Sequence, residues 1–258
     1  MARLFPFLLL GFASLMACQP PLPEVAAPAT FAEKLERAHR KEAFQQHEAI
    51  TFDLVLNFAG RERFNGPITL STDSYRGLFG YPDSSQVYFE GQQLYQDVDT
   101  TQRKHGRFGA YTWSYFFALP YKLSDAGTQF SAYADKQLDG KTYEVEKLSF
   151  AAGTGDAPDD WYLLFADPET MQLEASAYIV TAGRTRAEAE KSPSAIDYAD
   201  YRLVDGIPIA HEWRFYKFEE GKGFSGEQRG SGRLSNIRFL TAAEASWPDK
   251  LSDWTLVE

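Results

Sequence analysis

The chain has 258 residues and a formal net charge of −10 at pH 7, with 26 lysine and arginine residues against 36 aspartate and glutamate residues. This acidity argues against binding to nucleic acid and against electrostatic docking on anionic lipid. The single cysteine excludes a disulfide within the chain. An aromatic content of 15% predicts either a thick core or a lined cavity.

Residues 1–17 (MARLFPFLLLGFASLMA) have the pattern of an export signal, with one basic residue followed by a short apolar run. That run is too short for a membrane-spanning helix, which needs about 20 apolar residues. Residues 15–18 (LMAC) resemble the lipobox of bacterial lipoproteins, which implies that Cys18 is acylated and anchors the protein. The alternative is a spare thiol behind an ordinary cleavage site. Gln19 resembles an outer-membrane sorting signal, so we expect an anchor in the outer membrane, facing the periplasm.

Residues 18–30 contain four prolines and no apolar periodicity, which predicts a semi-extended tether. Thr30 then predicts the N-cap of a helix over residues 31–47. Phe31, Leu35 and Ala38 share one face of this helix, while Phe44 fits that face only loosely. We therefore expect a single folded domain over residues 31–258, starting with an amphipathic helix that lies on an apolar surface.

Apolar and polar residues alternate over residues 50–58, which is typical of a strand with one buried side. Nine further strands are predicted at 67–74, 85–89, 93–97, 141–150, 161–166, 173–180, 198–204, 207–217 and 234–240. Residues 184–191 predict a helical turn, residues 153–160 (GTGDAPDD) an acidic loop, and residues 226–232 (GEQRGSG) a mobile hairpin tip.

These elements predict an α+β fold in which a strongly curved antiparallel sheet of about ten strands, a half-barrel, wraps over the N-terminal amphipathic helix. A sheet this wide curls as its twist accumulates, and the concave face must then be filled by side chains or by a ligand.

The layout of signal, helix and long strands, with the hairpin DYRLVDGIPIAHEWRFY at 200–216, resembles the LolA/LolB-type half-barrel superfamily. Residues 115–128 (YFFALPYKLSDAGT) and 164–178 (LFADPETMQLEASAY) are more similar still to a branch of secreted bacterial proteins without an assigned function. The resemblance implies a curved sheet over helices that encloses a lipid-accepting cavity. No functional residue of that superfamily can be matched to a position in this sequence.

The sequence shows no catalytic motif. The four histidines, His39, His47, His105 and His211, have no zinc-type spacing. No serine lies in a GxSxG motif, and we expect no catalytic residue, cofactor or metal. Asp156, Asp159 and Asp160 could bind calcium, but they lack EF-hand spacing, and a solvated acidic turn is the simpler interpretation.

Residues 112–123 (TWSYFFALPYKL) place several aromatic rings around Pro120. Contiguous rings do not suit a one-sided strand, and proline cannot donate to a sheet ladder. We therefore predict that this segment leaves the sheet as an edge or as a flap over the opening. The alternative is a loop whose rings fold into the core.

The sequence thus favours an exported, membrane-anchored lipoprotein that binds a lipid or other hydrophobic molecule non-covalently between the sheet and the helix at 31–47. The residues predicted to contact the ligand are apolar or aromatic, and they are Phe52, Leu54, Leu56, Trp113, Phe116, Phe117, Tyr121 and Trp213. Two alternatives remain: an envelope protein that binds other proteins and has a filled core, and an envelope hydrolase.

Overall fold

The computed structural model describes residues 28–98, 106–134, 136–138 and 140–257. The predicted signal at 1–17, Cys18, nearly all of the tether at 18–30 and His105 lie outside these ranges. Among the described residues, no helix is both long enough and apolar enough to cross a bilayer.

The described chain forms four short helices and many strands. The helices are α1 (Phe31–Ala38), α2 (Lys41–Phe44), α3 (Gly106–Ala118) and α4 (Arg186–Ala189). The strands are β1 (Ala49–Phe58), β2 (Arg61–Ser71), β3 (Arg76–Gly80), β4 (Gln86–Glu90), β5 (Gln93–Gln96), β6 (Thr128–Ala132), β7 (Lys136–Leu138), β8 (Lys141–Phe150), β9 (Tyr162–Ala166), β10 (Leu173–Tyr178), β11 (Ser194–Val204), β12 (Ile207–Glu219), β13 (Gly223–Leu240) and β14 (Thr255–Val257).

One curved, unclosed sheet carries the strands in the order β14-β5-β4-β3-β2-β1-β13-β12-β11-β10-β9-β8-β6, with β7 paired to β8 alone. The described strand pairs are all antiparallel. The predicted curved antiparallel sheet is therefore present, but the described residues form fourteen strands rather than about ten. Each predicted strand overlaps an observed one. The strands that the sequence missed are β3, β6, β7 and β14, which have only three to five residues each.

The predicted helix at 31–47 is interrupted. Thr30 caps α1 as expected, and it forms a capping box with Glu33. Arg40 then adopts a left-handed conformation with φ of 56°, and its guanidinium donates a hydrogen bond to the Gly206 carbonyl at 2.8 Å. The chain resumes as α2, and this change of direction explains why Phe44 fits the face of α1 poorly.

The aromatic segment at 112–123 is helical, so the prediction of an edge or flap is wrong. Most of it belongs to α3, which is followed by a 3-10 turn at Leu119–Tyr121 that contains Pro120. Phe116 and Phe117 are buried on this helix. A helix that lies inside a hollow meets protein on several sides, and contiguous rings can then all find contacts. The lack of alternation correctly argued against a strand in the sheet, but it did not by itself predict a helix.

Stacked rings fill much of the concave side of the sheet. Phe117 stacks on Phe52 with ring centroids 4.4 Å apart, and Phe44 stacks on Tyr121 at 3.8 Å. Leu35 of α1 is fully buried in the same cluster. The side chains between the sheet and residues 31–47 therefore pack closely against one another.

Residues 226–232 are not a hairpin tip, because they lie within the long strand β13. Two of its glycines make room for aromatic rings. A Cβ atom at Gly230 would lie 2.5 Å from Cδ1 of Phe58, and one at Gly232 would lie 3.0 Å from Cε3 of Trp213. Gly230 and Gly232 therefore indicate close packing, whereas Gly226 has open space around it and a φ of 76°.

Candidate ligand cavity

A cavity of about 500 Å³ lies between α3, the loop at 151–160 and the inner faces of β8, β9 and β10. Aromatic side chains form much of its wall, among them Tyr111, Tyr115, Phe116, Phe150, Tyr162 and Tyr178. Cavities that hold small molecules in proteins occupy roughly 300–1,000 Å³ and are lined mostly by apolar and aromatic groups. This cavity has the size and the lining of a ligand site.

Strand pairing and helix packing together position these rings. Tyr162 of β9 and Tyr178 of β10 occupy paired positions in the sheet, and their rings stack with centroids 6.1 Å apart. Phe116 of α3 packs on Tyr178 at 4.8 Å, and its backbone carbonyl accepts a hydrogen bond from the Tyr198 hydroxyl at 2.9 Å. The wall on this side is therefore held by both the sheet and α3.

Of the residues predicted to contact a ligand, Phe116 lines the cavity. Trp113 is half-buried and packs near Phe58 and Phe215. The others are buried among core side chains, and they are Phe52, Leu54, Leu56, Phe117, Tyr121 and Trp213. Their part in ligand binding stays a prediction.

An ion pair joins α3 to the acidic loop beside the cavity. Arg107, in the first turn of α3, donates to Oδ1 of Asp156 in the 151–160 loop, with Nε at 3.0 Å. The same guanidinium lies over the Tyr111 ring at 5.0 Å and donates to the Gln92 carbonyl at 3.2 Å. The Tyr111 hydroxyl donates to the Gly91 carbonyl at 3.0 Å. We call Arg107, Tyr111 and Asp156 the clasp, because they join α3, the acidic loop and the β4–β5 turn.

Two residues that line the cavity, Ser114 and Tyr115, have buried hydroxyl groups. Ser114 Oγ and Tyr115 Oη are shielded from solvent and have no hydrogen-bond partner within the described ranges. Burial raises the pKa of the Tyr115 phenol far above its usual value, and the charges of Asp125 and Asp160 add to this effect. The phenol therefore stays protonated, and it lies close enough to both carboxylates to feel them.

Asp160 is a buried carboxylate among the residues that line the cavity, with 8% of its surface exposed. Its Oδ1 accepts hydrogen bonds at 2.7 Å from both the backbone N–H and the hydroxyl of Thr181. Burial raises the pKa of Asp160, while the bonds from Thr181 act in the opposite direction. The sequence interpretation of 153–160 as a solvated acidic turn therefore missed both the clasp at Asp156 and the burial of Asp160. The burial of Asp160 could have been predicted from the apolar residues 161–165, which follow the loop directly and place Asp160 next to a buried strand.

No three His, Cys, Asp or Glu side chains gather as metal ligands among the residues that the structure describes. His39 serves the core instead. Its ring is fully buried, and Nε2 accepts a hydrogen bond from the Leu173 backbone N–H at 2.9 Å.

The comparisons with known proteins concern the fold. A protein-family model described as a family of unknown function, DUF6503, matches residues 107–219. A search of curated proteins finds no significant match. Among solved structures, a LolA superfamily protein from Nitrosomonas europaea is similar, with 9% identity, a TM-score of 0.53, and coverage of 86% of this chain and 96% of that one. A domain described as an outer membrane lipoprotein-sorting protein, from Vibrio parahaemolyticus, is 14% identical with a TM-score of 0.50, covering 82% of this chain and 94% of that one.

The chain has the LolA-type fold. The predicted resemblance to this superfamily, and to a branch without an assigned function, is confirmed. Within the LolA-type half-barrel, the segment matched by the family model runs from Arg107 of the clasp through β12. It therefore includes most of the cavity wall.

Proposed function

We propose that this protein is an exported, membrane-anchored lipoprotein that binds a lipid or another hydrophobic molecule non-covalently in the cavity beneath its half-barrel sheet. The observation that carries the proposal is the aromatic-lined cavity of about 500 Å³ beneath the sheet. A cavity of this size lined by rings is costly to keep unless it is used, because its walls lose contacts that a filled core would have.

Binding would rest on removal of apolar surface from water. Each large ring that a ligand covers contributes on the order of 1.5–3 kcal/mol when it is fully buried. Phe116, Phe150, Tyr162 and Tyr178 supply such rings from α3 and the sheet. The predicted ligand residues that lie deeper, such as Phe117 and Trp213, support α3 and the sheet behind this wall.

Filling the cavity is expected to abolish binding. Thr112 of α3 lines the cavity and is partly exposed, so Thr112→Phe places a ring in the space that a ligand would occupy. We expect this variant to bind an uncharged apolar dye at least tenfold more weakly than the unaltered protein, a loss of about 1.4 kcal/mol. Fluorescence titration of the purified domain measures the effect, and organic extraction with mass spectrometry identifies any lipid that co-purifies.

Ser252→Phe is the control, because Ser252 is exposed and does not line the cavity. It should leave dye affinity within about twofold. If neither variant changes binding while both melt as folded proteins, the dye binds elsewhere. If the unaltered protein binds no dye and yields no lipid, the carrier proposal is wrong and an interaction protein or an envelope hydrolase takes its place.

The membrane anchor is a separate part of the proposal, and it rests on the sequence around Cys18. Several acyl chains on this residue would anchor the protein stably, since each buried CH₂ contributes about 0.8 kcal/mol. We expect Cys18→Ser to move the protein from the membrane fraction to the soluble fraction. A protein that stays in the membrane fraction after this change is held there by something other than an acylated cysteine.

A further inference from the structure

The volume of the cavity limits how much of a ligand it can enclose. In a liquid, one small group such as a water molecule takes roughly 30 Å³, so a cavity of about 500 Å³ holds about 16 such groups. On the condition that the proposed function is right, we infer that the ligand is an amphiphile with a single tail of up to about 16 carbon groups. A lipid with two or three tails would not have them enclosed together.

Helix α3 bounds the cavity and separates it from the rest of the hollow under the sheet. The rings of Phe116 and Tyr178 lie 4.8 Å apart at this boundary. Beyond Phe116, Phe215 is 2% exposed and packs against Trp113 and Phe58, with ring centroids 6.2 Å and 4.7 Å away. Within the described ranges, a tail that passes Phe116 therefore meets packed rings and no continuation of the cavity.

Buried contacts fix the position of α3. The Tyr198 hydroxyl is buried and donates to the Phe116 carbonyl at 2.9 Å, and the neighbouring Phe117 stacks on Phe52 at 4.4 Å. Moving α3 away from the sheet would break this stack and leave a buried hydroxyl without a partner, which is costly. Enlarging the cavity for a second tail therefore means breaking contacts that hold the fold together.

The cavity is open to solvent on one side, so the ligand head need not be enclosed. Gln92 and Gly155 line the cavity and are exposed, whereas Tyr162 and Tyr178 line it and are buried. A molecule with one tail can bury that tail against the rings and leave its head in water. The volume and the walls therefore limit the tail of the ligand rather than its head.

The first test uses nonionic probes that share maltoside heads: decyl, dodecyl and tetradecyl maltoside, and a neopentyl glycol maltoside with two decyl tails. Each displaces the uncharged dye from the purified protein below the probe's micelle concentration. While the cavity has room, each added CH₂ group should strengthen binding about fourfold, so displacement should tighten from decyl to tetradecyl maltoside. The second decyl tail should strengthen binding less than about threefold, because it finds no apolar surface to cover.

Each of the other outcomes has a different meaning. A two-tailed probe that binds at least about tenfold more tightly than decyl maltoside would overturn the inference and leave the proposed function intact. Equal displacement by the three single-tailed probes would also overturn it, since their tails would then lie outside the cavity. If the protein binds neither the dye nor a maltoside in titration calorimetry, the proposed function itself is wrong.

Val180→Phe is expected to shorten the longest tail that fits. Val180 lines the cavity and packs, partly buried, against the same apolar cluster as Tyr178. Phenylalanine takes the space of about four more carbon groups than valine, so the limit should fall from about 16 to about 12 groups. We expect tetradecyl maltoside to bind about tenfold more tightly than dodecyl maltoside to the unaltered protein, and no more than about twofold more tightly to the variant.

Val204→Phe is the matched control, because Val204 is also partly buried but does not line the cavity. It should keep the preference of the unaltered protein for tetradecyl maltoside. If both variants melt as folded proteins and Val180→Phe keeps that preference too, the inference is wrong. If Val180→Phe does not fold, the two-tailed probe on the unaltered protein decides.

Discussion

The Phe117→Ala variant is expected to unfold with a free energy about 3–5 kcal/mol below that of the unaltered protein. Phe117 is 6% exposed, and its ring stacks on Phe52 at 4.4 Å and packs near Phe44 at 6.5 Å. Truncation removes apolar contacts and leaves a void where α2, α3 and β1 meet, and the stacked rings cannot collapse into it without moving the helix. Denaturant unfolding followed by tryptophan fluorescence measures this loss.

Phe108→Ala is the matched control, because it makes the same substitution at the opposite end of the same helix. Phe108 is 39% exposed and lines the cavity. We expect it to cost about 1 kcal/mol or less in stability and to weaken dye binding instead. Similar losses of stability in the two variants would mean that α3 does not pack into the sheet in the way described.

Stability is also expected to fall by about 2 kcal/mol between pH 7 and pH 5 because of His39. Burial lowers the pKa of His39 from 6.5 to about 3, and the nearby Pro208 carbonyl offsets only part of this shift. In the unfolded chain the histidine takes up a proton below about pH 6.5. The folded protein does not bind this proton until about pH 3, so the unfolded state gains stability as the pH falls from 6.5 towards 3.

His39→Gln isolates this contribution. A glutamine oxygen can still accept the bond from the Leu173 N–H, but it has no proton to gain in this range. The variant will be less stable at pH 7, and its unfolding free energy should change by about 2 kcal/mol less between pH 7 and pH 5 than that of the unaltered protein. Equal slopes would show that His39 is protonated in the folded state near pH 6.

The sheet was predictable from the sequence because its strands alternate over long stretches. Residues 50–58 have one buried side, and the structure gives β1 as Ala49–Phe58 with Phe52, Leu54 and Leu56 buried. The same holds for β8, whose bounds agree with the prediction at 141–150. Short strands such as β3 and β14 gave no such signal, since their pairing depends on neighbours that are distant in the chain.

The cavity was not predictable, because it arises where α3 and the acidic loop meet the sheet. Phe116 lines the cavity, but the sequence pointed to it only as part of an aromatic cluster, and it gave Tyr162 and Tyr178 only as strand residues. Asp160 and Ser114 are buried because of how the acidic loop and α3 pack in the fold. The spacing of residues in the sequence does not reveal this packing. Six of the predicted ligand residues are instead buried in the core. A sequence pattern can indicate that a side chain is buried, but it does not show whether a ligand or another side chain covers it.

The clasp ties together three segments that are distant in the chain: α3, the acidic loop and the β4–β5 turn. Arg107 and Asp156 are both partly exposed, and dissolved ions weaken the attraction between partly exposed charges. Raising the salt concentration is therefore expected to loosen the attachment of the acidic loop to α3 while the buried rings beneath the sheet stay packed.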